Sequence, residues 1–478
     1  MSADVPDLSS WTCAHLVGIG GAGMSGIARL LLARGIAVSG SDLKDSRGLA
    51  GLREAGAKVS VGHRRRQVGR PDAVVVSAAI PAGNVELKEA QRQEIPIFPR
   101  AHVLAALMRG KRSVAVAGTH GKTTTTSMVS VMCSRLGLDP TFVIGGDLNE
   151  IGSGAGHGAG EVFVAEADES DGSFLLYEPT VAVVTNVEED HLDYYAGRAE
   201  VESAFAEFAR RAGSVVACWD DPGVRRALAD MPNRLLRYGW DRDADVVLRD
   251  EELRWNGSSA AVDVKAAGLN VSLQLPVAGR HNLLNAAAAL GVAVELGLNV
   301  EEAADALRSF SGVRRRFECR GVAGGATFID DYAHHPSEVA ATLAAARLDG
   351  WNRVVAVFQP HRYTRTRALW RELGESLGAA DVVVLTDVYG AGERPIPGVT
   401  GKLLVEAVTE AAPGKRVIYL PRRSDVVPFL AGAIRDGDLV LTMGAGDITM
   451  VAEAILERLR GVGSEDRPST PVSKSPAR

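Results

Sequence analysis

The clearest indication of chemical function in the sequence is one glycine-rich segment. Residues 118–124 read Gly-Thr-His-Gly-Lys-Thr-Thr, between an apolar stretch at 113–117 that predicts a strand and a run that predicts a helix. The strict pattern G-x-x-x-x-G-K-[ST] is not met, because Val116 occupies the position of its first glycine. In this shorter form the amides at the helix start can cradle phosphates, Lys122 can neutralise the terminal phosphate, and the Thr123 hydroxyl can ligate magnesium. The segment predicts a site for ATP or GTP, with a purely structural turn as the alternative.

Acidic and imidazole side chains follow the next two predicted strands. Residues 162–165 are followed by Glu-Ala-Asp-Glu-Ser-Asp at 166–171, and residues 181–184 are followed by a segment that contains His191 and Asp193. The carboxyl ends of parallel strands face ligands, and nucleotide-bound magnesium needs oxygen ligands, so one or two of the acids should face the metal. A single histidine after a strand is usually structural. His191, however, follows a strand that should end beside the phosphate loop and the acidic segment, and this position favours a role at the site.

A second glycine motif lies near the N terminus. Gly18, Gly20 and Gly23 match G-x-G-x-x-G, after a predicted strand at 15–19 and before a helical run. Such a turn brings backbone amides to a diphosphate, and Asp42 follows the second apolar stretch at a spacing that suits a ribose hydroxyl. The turn does not distinguish a dinucleotide from a UDP-sugar. From these residues alone, an NAD-linked oxidoreductase and a UDP-sugar enzyme are both open.

The C-terminal third repeats the alternation of strands and helices. A predicted strand at 327–329 leads into Asp-Asp-Tyr-Ala-His-His-Pro at 330–336, where a carboxylate pair beside histidines could receive an ammonium group and help it lose a proton. Residues 354–358 lead into the basic segment 359–367, whose cations could stabilise a transferring phosphoryl group. A helix cap and a solvated basic turn are the structural alternatives. The whole pattern predicts an α/β protein with doubly wound sheets.

Length and composition set the outer limits. The 478 residues, 46% of them apolar, predict several domains, with boundaries at 1–110, 111–313 and 314–460 and a disordered tail at 461–478. The net charge of −6 argues against nucleic acid as a partner. The four cysteines have no metal-ligand spacing, and no apolar run has the length of a signal peptide or a membrane helix. A cytoplasmic protein is expected.

The order of these motifs resembles that of the Mur ligases, the ATP-dependent amide-bond-forming enzymes of peptidoglycan synthesis. The central-domain motifs that carry the resemblance are GTHGKTT, EADESDGSF, TNVEEDHLDYY and GRHNLLNAAAA. Those that resemble the branch joining L-alanine to UDP-N-acetylmuramate are GIGGAGMSGIA, GVRRRFE, IDDYAHHP, FQPHRYTRTR and GAGDI. The resemblance covers most of the chain. It implies an N-terminal Rossmann-like UDP-binding domain, a central P-loop ATPase-like domain and a C-terminal Rossmann-like domain, and it favours a UDP-sugar over NAD.

The resemblance also implies a role for individual residues. The implied ATP contacts are Gly118, Thr119, His120, Gly121, Lys122, Thr123, Thr124, His281, Asn282, Asn285, Arg316, Asp331 and Tyr332. The implied UDP-sugar contacts are Gly20, Gly21, Ala22, Gly23, Met24, Asp42, Ser77, Arg100 and His120. The implied amino-acid contacts are Tyr332, His334, Arg362 and Arg365, the implied magnesium ligands are Thr123, Glu166 and His191, and the implied catalytic residues are Lys122, His191, His334 and Arg362.

Several alternatives stay open beside this interpretation. Other branches of the family carry a carbamylated lysine after the Asp-His motif, whereas no lysine occurs from Leu192 to Val215, as expected for the alanine-adding branch. A recycling ligase that adds a whole peptide to the same UDP-sugar would differ only in its amine pocket. A nucleotide-binding regulator without catalysis is a third possibility. A monomer or a homodimer is expected, with no integral membrane contact.

Overall fold

A computed structural model describes residues 4–45, 47–77, 79–146, 148–149, 154–191, 194–348 and 350–465. The chain divides into two compact units, the first running through Arg314 and the second starting at Arg315. Each unit is a layered α/β structure built on mainly parallel sheets, which confirms the predicted fold class. Across the described ranges, no helix combines the length and the apolar character needed to cross a membrane.

The first sheet of unit 1 has the strand order of a doubly wound nucleotide-binding fold. Its strands in the described ranges are β1 (Cys13–Val17), β2 (Ala37–Asp42), β3 (Lys58–Val61), β4 (Ala73–Val76) and β5 (Ile97–Pro99). They are parallel and ordered β3-β2-β1-β4-β5. The helices are α1 (Ala22–Ala33), α2 (Arg47–Glu54), α3 (Val85–Arg92) and α4 (Arg100–Met108). The order reverses direction between β1 and β4, and ligands bind at such a switch point.

The second sheet of unit 1 holds the phosphate loop. Its strands in the described ranges are β6 (Arg112–Ala117), β7 (Thr141–Val143), β8 (Ala155–Gly156), β9 (Val162–Glu166), β10 (Val181–Val184), β11 (Ser214–Cys218), β12 (Arg234–Gly239), β13 (Val246–Arg254), β14 (Gly257–Val264) and β15 (Leu269–Leu275). Their order is β15-β14-β13-β12-β11-β10-β6-β9-β7-β8. The helices are α5 (Lys122–Arg135), α6 (Arg198–Arg210), α7 (Pro222–Ala227), α8 (Arg280–Glu295) and α9 (Val300–Leu307). Because β6 lies between β9 and β10, all three strands end at one place.

Helix α5 is buried although its first half is made of hydroxyl residues. The Thr126 hydroxyl donates to Lys122 O (2.8 Å), and the hydroxyls of Ser127 and Ser130 donate in the same way to carbonyls four residues earlier, both at 2.7 Å. These bonds satisfy polar groups that would otherwise be costly to bury. The helix can therefore pack against the alanine-rich α8 and hold the loop before it rigidly.

Unit 2 contains one mixed sheet. Its strands in the described ranges are β16 (Glu318–Ala323), β17 (Ala326–Asp331), β18 (Arg353–Phe358), β19 (Val382–Leu385), β20 (Arg416–Tyr419) and β21 (Asp438–Met443), ordered β16-β17-β21-β18-β19-β20. Its helices are α10 (Pro336–Ala346), α11 (Tyr363–Leu377), α12 (Lys402–Ala411), α13 (Arg423–Ala433) and α14 (Thr449–Glu465). Residues 461–465, which were predicted to begin a disordered tail, are helical, so that boundary was wrong; residues 466–478 lie outside the described residues.

Candidate active site

The loop between β6 and α5 is fixed by the end of β10. Gly118 has φ +141°, and a Cβ at that position would overlap the Thr185 hydroxyl. The amide of Thr119 donates to Asn186 O (3.1 Å), and the amide of His120 donates to Asn186 Oδ1 (2.7 Å). The loop therefore has one conformation imposed from the neighbouring strand. Asn186 was not singled out from the sequence, although it lies in a motif that was.

Helix α8 supports the same loop from its other side. Gly121, at the start of α5, has a left-handed φ of +79°, and a Cβ there would come within 2.7 Å of Asn285 Oδ1. That oxygen accepts from the Thr125 hydroxyl (3.1 Å), and Asn282 donates to Ala278 O (2.6 Å). Both asparagines are buried. The Asn285 amide supports the start of α5 and in turn donates to Asn282 Oδ1 (3.3 Å), and the nucleotide contacts of both residues, like that of His281, stay predictions.

Lys122 is paired with a buried carboxylate. Its Nζ lies 2.8 Å from one oxygen of Glu169 and 3.0 Å from the other, and it also donates to Gly118 O and Thr119 O (3.2 Å). Burial alone would lower the pKa of Lys122, but the negative charges of Glu169, Asp168 and Glu166 raise it. The ammonium is therefore charged and is held at the phosphate loop before any nucleotide binds. The sequence did not single out Glu169 among the six residues after β9.

His191 reaches the same carboxylate. Its Nε2 lies 3.5 Å from Glu169 Oε1 and 3.7 Å from Asp190 Oδ2, and its backbone has a left-handed φ of +55°. Burial opposes the charged ring, but the hydrogen bond to Glu169 and the charge of Asp190 raise the pKa of His191. Glu169 thus joins the lysine and the histidine at one point. Asp193, also noted in the sequence, lies outside the described residues.

Thr123 and Glu166 lie on either side of a pair of glycines. A Cβ at Gly145 would lie 2.8 Å from Glu166 Oε2, and a Cβ at Gly146 would lie 3.3 Å from the Thr123 methyl group. The Gly145 amide donates to Glu166 Oε2 (2.8 Å). A hydroxyl and a carboxylate in this arrangement are the hard oxygen donors that Mg²⁺ prefers, so the residues present fit that ion.

The N-terminal glycine turn is held by the end of β2. The amides of Gly18 and Ile19 donate to Ser41 O at 2.9 and 3.1 Å, and the amide of Gly20 donates to Asp42 Oδ2 (2.9 Å). Asp42 therefore braces the turn with one oxygen, and its ribose contact stays a prediction. Gly21 caps α1, which starts at Ala22.

The side chain of Met24 is 1% exposed and belongs to the hydrophobic core. An apolar side chain at the third helical position faces the sheet, so the implied UDP-sugar contact of Met24 stays a prediction that concerns its backbone. The backbone amide of Met24, in the first turn of α1, is the group that a diphosphate could meet.

Arg100 links the N-terminal glycine turn to the acidic segment after β9. A Cβ on Gly23 would overlap its Nη1, and its Nη2 donates to Asp168 Oδ2 (3.1 Å). Ser77 is close to Gly18, whose Cβ position lies 3.5 Å from Ser77 Cβ. Ser77 and Arg100, which without the family resemblance would pass for ordinary polar loop residues, therefore lie at the predicted diphosphate site.

Asp168→Asn is expected to tighten UDP binding about threefold, because the Arg100 guanidinium would no longer be shared with a carboxylate. The side chains of the pair are 33% and 39% exposed, so its own stability contribution is about 1 kcal/mol or less. Arg100→Ala should weaken UDP binding, and Asp168→Asn should then have no further effect. Calorimetric titration with UDP measures both, with Asp171→Asn as the matched control. Weaker binding in Asp168→Asn would show instead that the carboxylate positions the arginine.

In unit 2, the two carboxylates of the predicted ammonium site, Asp330 and Asp331, are not equally free to accept further hydrogen bonds. Asp330 is fully buried and accepts from the hydroxyls of Thr442 (2.7 Å) and Thr449 (2.5 Å). Asp331 accepts from the amides of Phe317 and Ala333, both at 2.7 Å, and burial raises its pKa to about 6. The expectation of a carboxylate pair was therefore wrong for Asp330, whose acceptors are used inside the sheet.

Tyr332 and its neighbours form an aromatic and cationic cluster. The guanidinium carbons of Arg315 and Arg316 lie 4.8 and 5.2 Å from the centre of the Tyr332 ring. His334 packs edge-on against the same ring, and its Nδ1 is 2.9 Å from Tyr332 O. Because a carbonyl only accepts, Nδ1 of His334 carries the proton and Nε2 is an acceptor.

Burial, together with the positive charge of Arg365, lowers the pKa of His334 to about 3 although Glu338 opposes the shift. A ring with this pKa is a weak base. His334 is therefore better suited to accept a hydrogen bond from the amine than to take up its proton, and its implied catalytic role stays a prediction.

The low pKa of His334 predicts a pH-dependent stability. The folded value of about 3 is below the ordinary 6.5, so the unfolded chain takes up the proton first and stability is lost as the pH falls from 6.5 towards 3. At pH 5 this loss is about 2 kcal/mol, and His334→Gln should lack it. Urea unfolding of both proteins at pH 5 and pH 7 measures the difference, and equal losses would contradict the assignment.

Arg362 and Arg365 lie at the start of α11. Arg362, whose φ is +70°, donates through Nε to Glu393 Oε1 (2.7 Å), and Glu393 also accepts from the hydroxyl of Thr364 (2.6 Å). Arg365 Nη1 lies 3.5 Å from Nδ1 of His361. The two predicted carboxylate contacts thus both lie at the start of α11, and Glu393, which orients Arg362, was missed because it is distant in the sequence.

Three family descriptions match successive parts of the chain. The Mur ligase family catalytic domain matches residues 14–112, the Mur ligase middle domain matches residues 116–293, and the Mur ligase glutamate ligase domain matches residues 315–446. The chain belongs to the Mur ligase family. The resemblance predicted from the motifs is confirmed.

Similar proteins extend over nearly the whole length of this Mur ligase. UDP-N-acetylmuramate--L-alanine ligase of Saccharopolyspora erythraea is 51% identical over 467 residues, which cover 95% of each chain. The crystal structure of UDP-N-acetylmuramate-alanine ligase from Thermotoga maritima is 29% identical and superimposes with a TM-score of 0.81, covering 94% of this chain and 99% of that one. A murein peptide ligase from Psychrobacter arcticus is 24% identical, with a TM-score of 0.72 over 94% of this chain and 98% of that one, which shows the shared fold alone.

Proposed function

We propose that this Mur ligase joins L-alanine to the lactyl carboxylate of UDP-N-acetylmuramate, with cleavage of ATP to ADP and phosphate. The observation that carries the proposal is the phosphate loop, in which a charged Lys122 and the amides before α5 are preorganised beside the ends of β9 and β10. The 51% identity to an alanine ligase over 95% of each chain supports the choice of substrates.

A carboxylate does not acylate an amine at neutral pH, so the carboxylate must first be activated. A lactyl carboxylate oxygen attacks the γ-phosphorus of ATP, the bond to the β–γ bridging oxygen breaks, and ADP leaves. The loop amides and Lys122 stabilise the charge on the transferring phosphoryl group. The amine of L-alanine, having lost a proton, attacks the acyl carbon, and the tetrahedral adduct expels phosphate as the amide forms.

The residues of unit 1 fit a magnesium ion beside the nucleotide. Thr123 and Glu166 would hold it, and His191 would lie beside it through Glu169. When bound, the ion offsets negative charge on the phosphates of ATP. Lys122 does the same at the γ-phosphate with its own charge, and the loop amides orient the nucleotide without rearrangement.

In unit 2, His334 and the two arginines suit an amino acid. Nε2 of His334 can accept from the amine, and the guanidinium groups of Arg362 and Arg365 can bind the carboxylate of L-alanine. The peptide-adding reaction is the second candidate, because a murein peptide ligase shares the fold. We also propose a cytoplasmic enzyme, since ATP and UDP-sugars are cytoplasmic metabolites, with domain boundaries near 110 and 313 and a monomeric or homodimeric state.

Phosphate release from MgATP tests this function. Release should require both UDP-N-acetylmuramate and L-alanine, and the product should gain the mass of one alanine residue. A parallel assay with a tripeptide in place of L-alanine distinguishes the alanine-adding reaction from the peptide-adding reaction, which is the second candidate. Phosphate release that depends on neither UDP-N-acetylmuramate nor L-alanine would overturn the proposal.

A further inference from the structure

A buried glutamate lies where the strands of the first sheet end, and no step of the reaction uses it. Glu86, in the first turn of α3, is fully buried. Its Oε2 accepts from the Ser41 hydroxyl and lies 3.1 Å from Nδ1 of His63, and its Oε1 accepts from the amide of Arg64 (3.1 Å). Nε2 of His15 is 3.7 Å away. Donors from β1, β2 and the segment after β3 thus converge on one carboxylate.

The carboxylate is ionised. Burial by itself would raise its pKa, but the nearby His15 imidazole and the hydrogen bonds from Ser41 and Arg64 lower the pKa of Glu86 below its ordinary value. An ionised carboxylate only accepts hydrogen bonds. Every group that meets Glu86 must therefore donate to it.

This requirement fixes the tautomer of His63. Nδ1 of His63 meets two oxygens, Ser41 Oγ at 2.8 Å and Glu86 Oε2 at 3.1 Å. The Ser41 hydroxyl gives its proton to Glu86, so its oxygen can only accept from the imidazole. Nδ1 therefore carries the proton, and in the neutral ring Nε2 is left as a hydrogen-bond acceptor. Within the described residues Nε2 makes no hydrogen bond, and the side chain of His63 is 10% exposed.

The strand order places this acceptor at the nucleoside end of the UDP-sugar site. The glycine turn follows β1, and Asp42, at the ribose position, ends β2. The next strand outward is β3, and His63 follows it by two residues. With the diphosphate at β1 and the ribose at β2, the base extends towards the end of β3. Ser41, which holds His63, also accepts the amides of Gly18 and Ile19 through its carbonyl, so the turn and the histidine share one support.

We propose that His63 recognises the uracil base of the UDP-sugar by accepting a hydrogen bond from its N3–H through Nε2, and that Glu86 is a positioning residue that fixes this tautomer. Cytosine has an unprotonated N3 and cannot make this bond. The proposal rests on the proposed function, since it names how the UDP moiety is selected.

The test compares UDP with CDP, which differ in the base and share the ribose and the diphosphate. Equilibrium dialysis of radiolabelled UDP and CDP is carried out at pH 8, where histidine rings are neutral. His63→Asn keeps an amide donor near the position of Nδ1 and removes Nε2. Glu86→Gln lets the amide donate to Nδ1, so the ring can turn into the tautomer with a proton on Nε2. Glu89→Gln, on the same helix but bonded to Arg92 and Gln93, is the matched control.

His63→Asn should weaken UDP binding about tenfold and leave CDP binding unchanged, and Glu86→Gln should lower the ratio of UDP to CDP affinity by a similar factor. Glu89→Gln should bind as the unmodified enzyme does. Equal factors for UDP and CDP in His63→Asn, or no change in either, would overturn the proposal and leave Glu86 a structural group. Failure of the unmodified enzyme to bind UDP would overturn the UDP-sugar assignment as well. Failure of the His63 proposal alone can therefore be distinguished from failure of the proposed function.

Discussion

Lys122→Met should reduce the rate of phosphate release about a thousandfold while leaving UDP affinity unchanged. The proposed role of Lys122, whose ammonium is held at the phosphate loop by Glu169, is to stabilise charge on the transferring phosphoryl group, and groups that do so in a preorganised site contribute on this scale. The N-terminal glycine turn is held by Ser41 and Asp42 and does not depend on Lys122. Phosphate release at saturating substrates and calorimetry with UDP measure the two effects.

Lys111→Met is the matched control for this experiment. Lys111 precedes β6 and donates to Gly160 O (2.9 Å), at the opposite end of the strand from the phosphate loop. It should retain nearly full activity. A Lys122→Met enzyme with more than a tenth of the original rate would contradict the assignment of the loop as the catalytic phosphate site.

Glu169→Ala should destabilise unit 1 by about 3 kcal/mol, because it leaves the buried ammonium of Lys122 without its counter-ion. Glu169 is 2% exposed and contacts both Lys122 and His191, and its carbonyl accepts from the hydroxyl of Tyr195 (2.6 Å). Denaturant unfolding measures the loss. ATP should partly restore stability, since the phosphates supply negative charge at the same place.

A double-mutant cycle measures the interaction free energy between Glu169 and Lys122. Glu169→Ala with Lys122→Met should cost less than the sum of the two single changes, because neither charge is then left alone. Glu178→Gln, at an exposed carboxylate of the same unit, should have almost no effect. Additive losses in the double variant would show that the two groups do not depend on each other.

The strands that carry the candidate site residues were predictable because they are short apolar runs that end in glycine or polar residues. The predicted strand at 181–184 has the same bounds in the structure, and that at 162–165 is one residue longer. Periodicity and strand-end position need no knowledge of distant contacts. The phosphate loop was predictable for the same reason, since its glycines, lysine and threonine are consecutive.

Residues whose role depends on a distant partner were not predictable in this way. Glu393 orients Arg362 from 31 positions away, and Glu86 meets His15 across 71 positions of sequence. Among the acids after β9, the sequence offered several equivalent carboxylates, and only the packing showed that Glu169 turns to the lysine while Asp168 turns to Arg100. The direction of a side chain is set by the neighbours that surround it, which spacing does not record.

The sequence by itself thus determined the α/β class, the two glycine turns, and, through the order of its motifs, membership of the Mur ligases. The tertiary structure alone decided which groups are charged, which nitrogen carries a proton, and which polar side chains brace a loop. The physical reason is that local sequence sets backbone conformation, whereas charge and protonation depend on burial and on partners brought together by the fold.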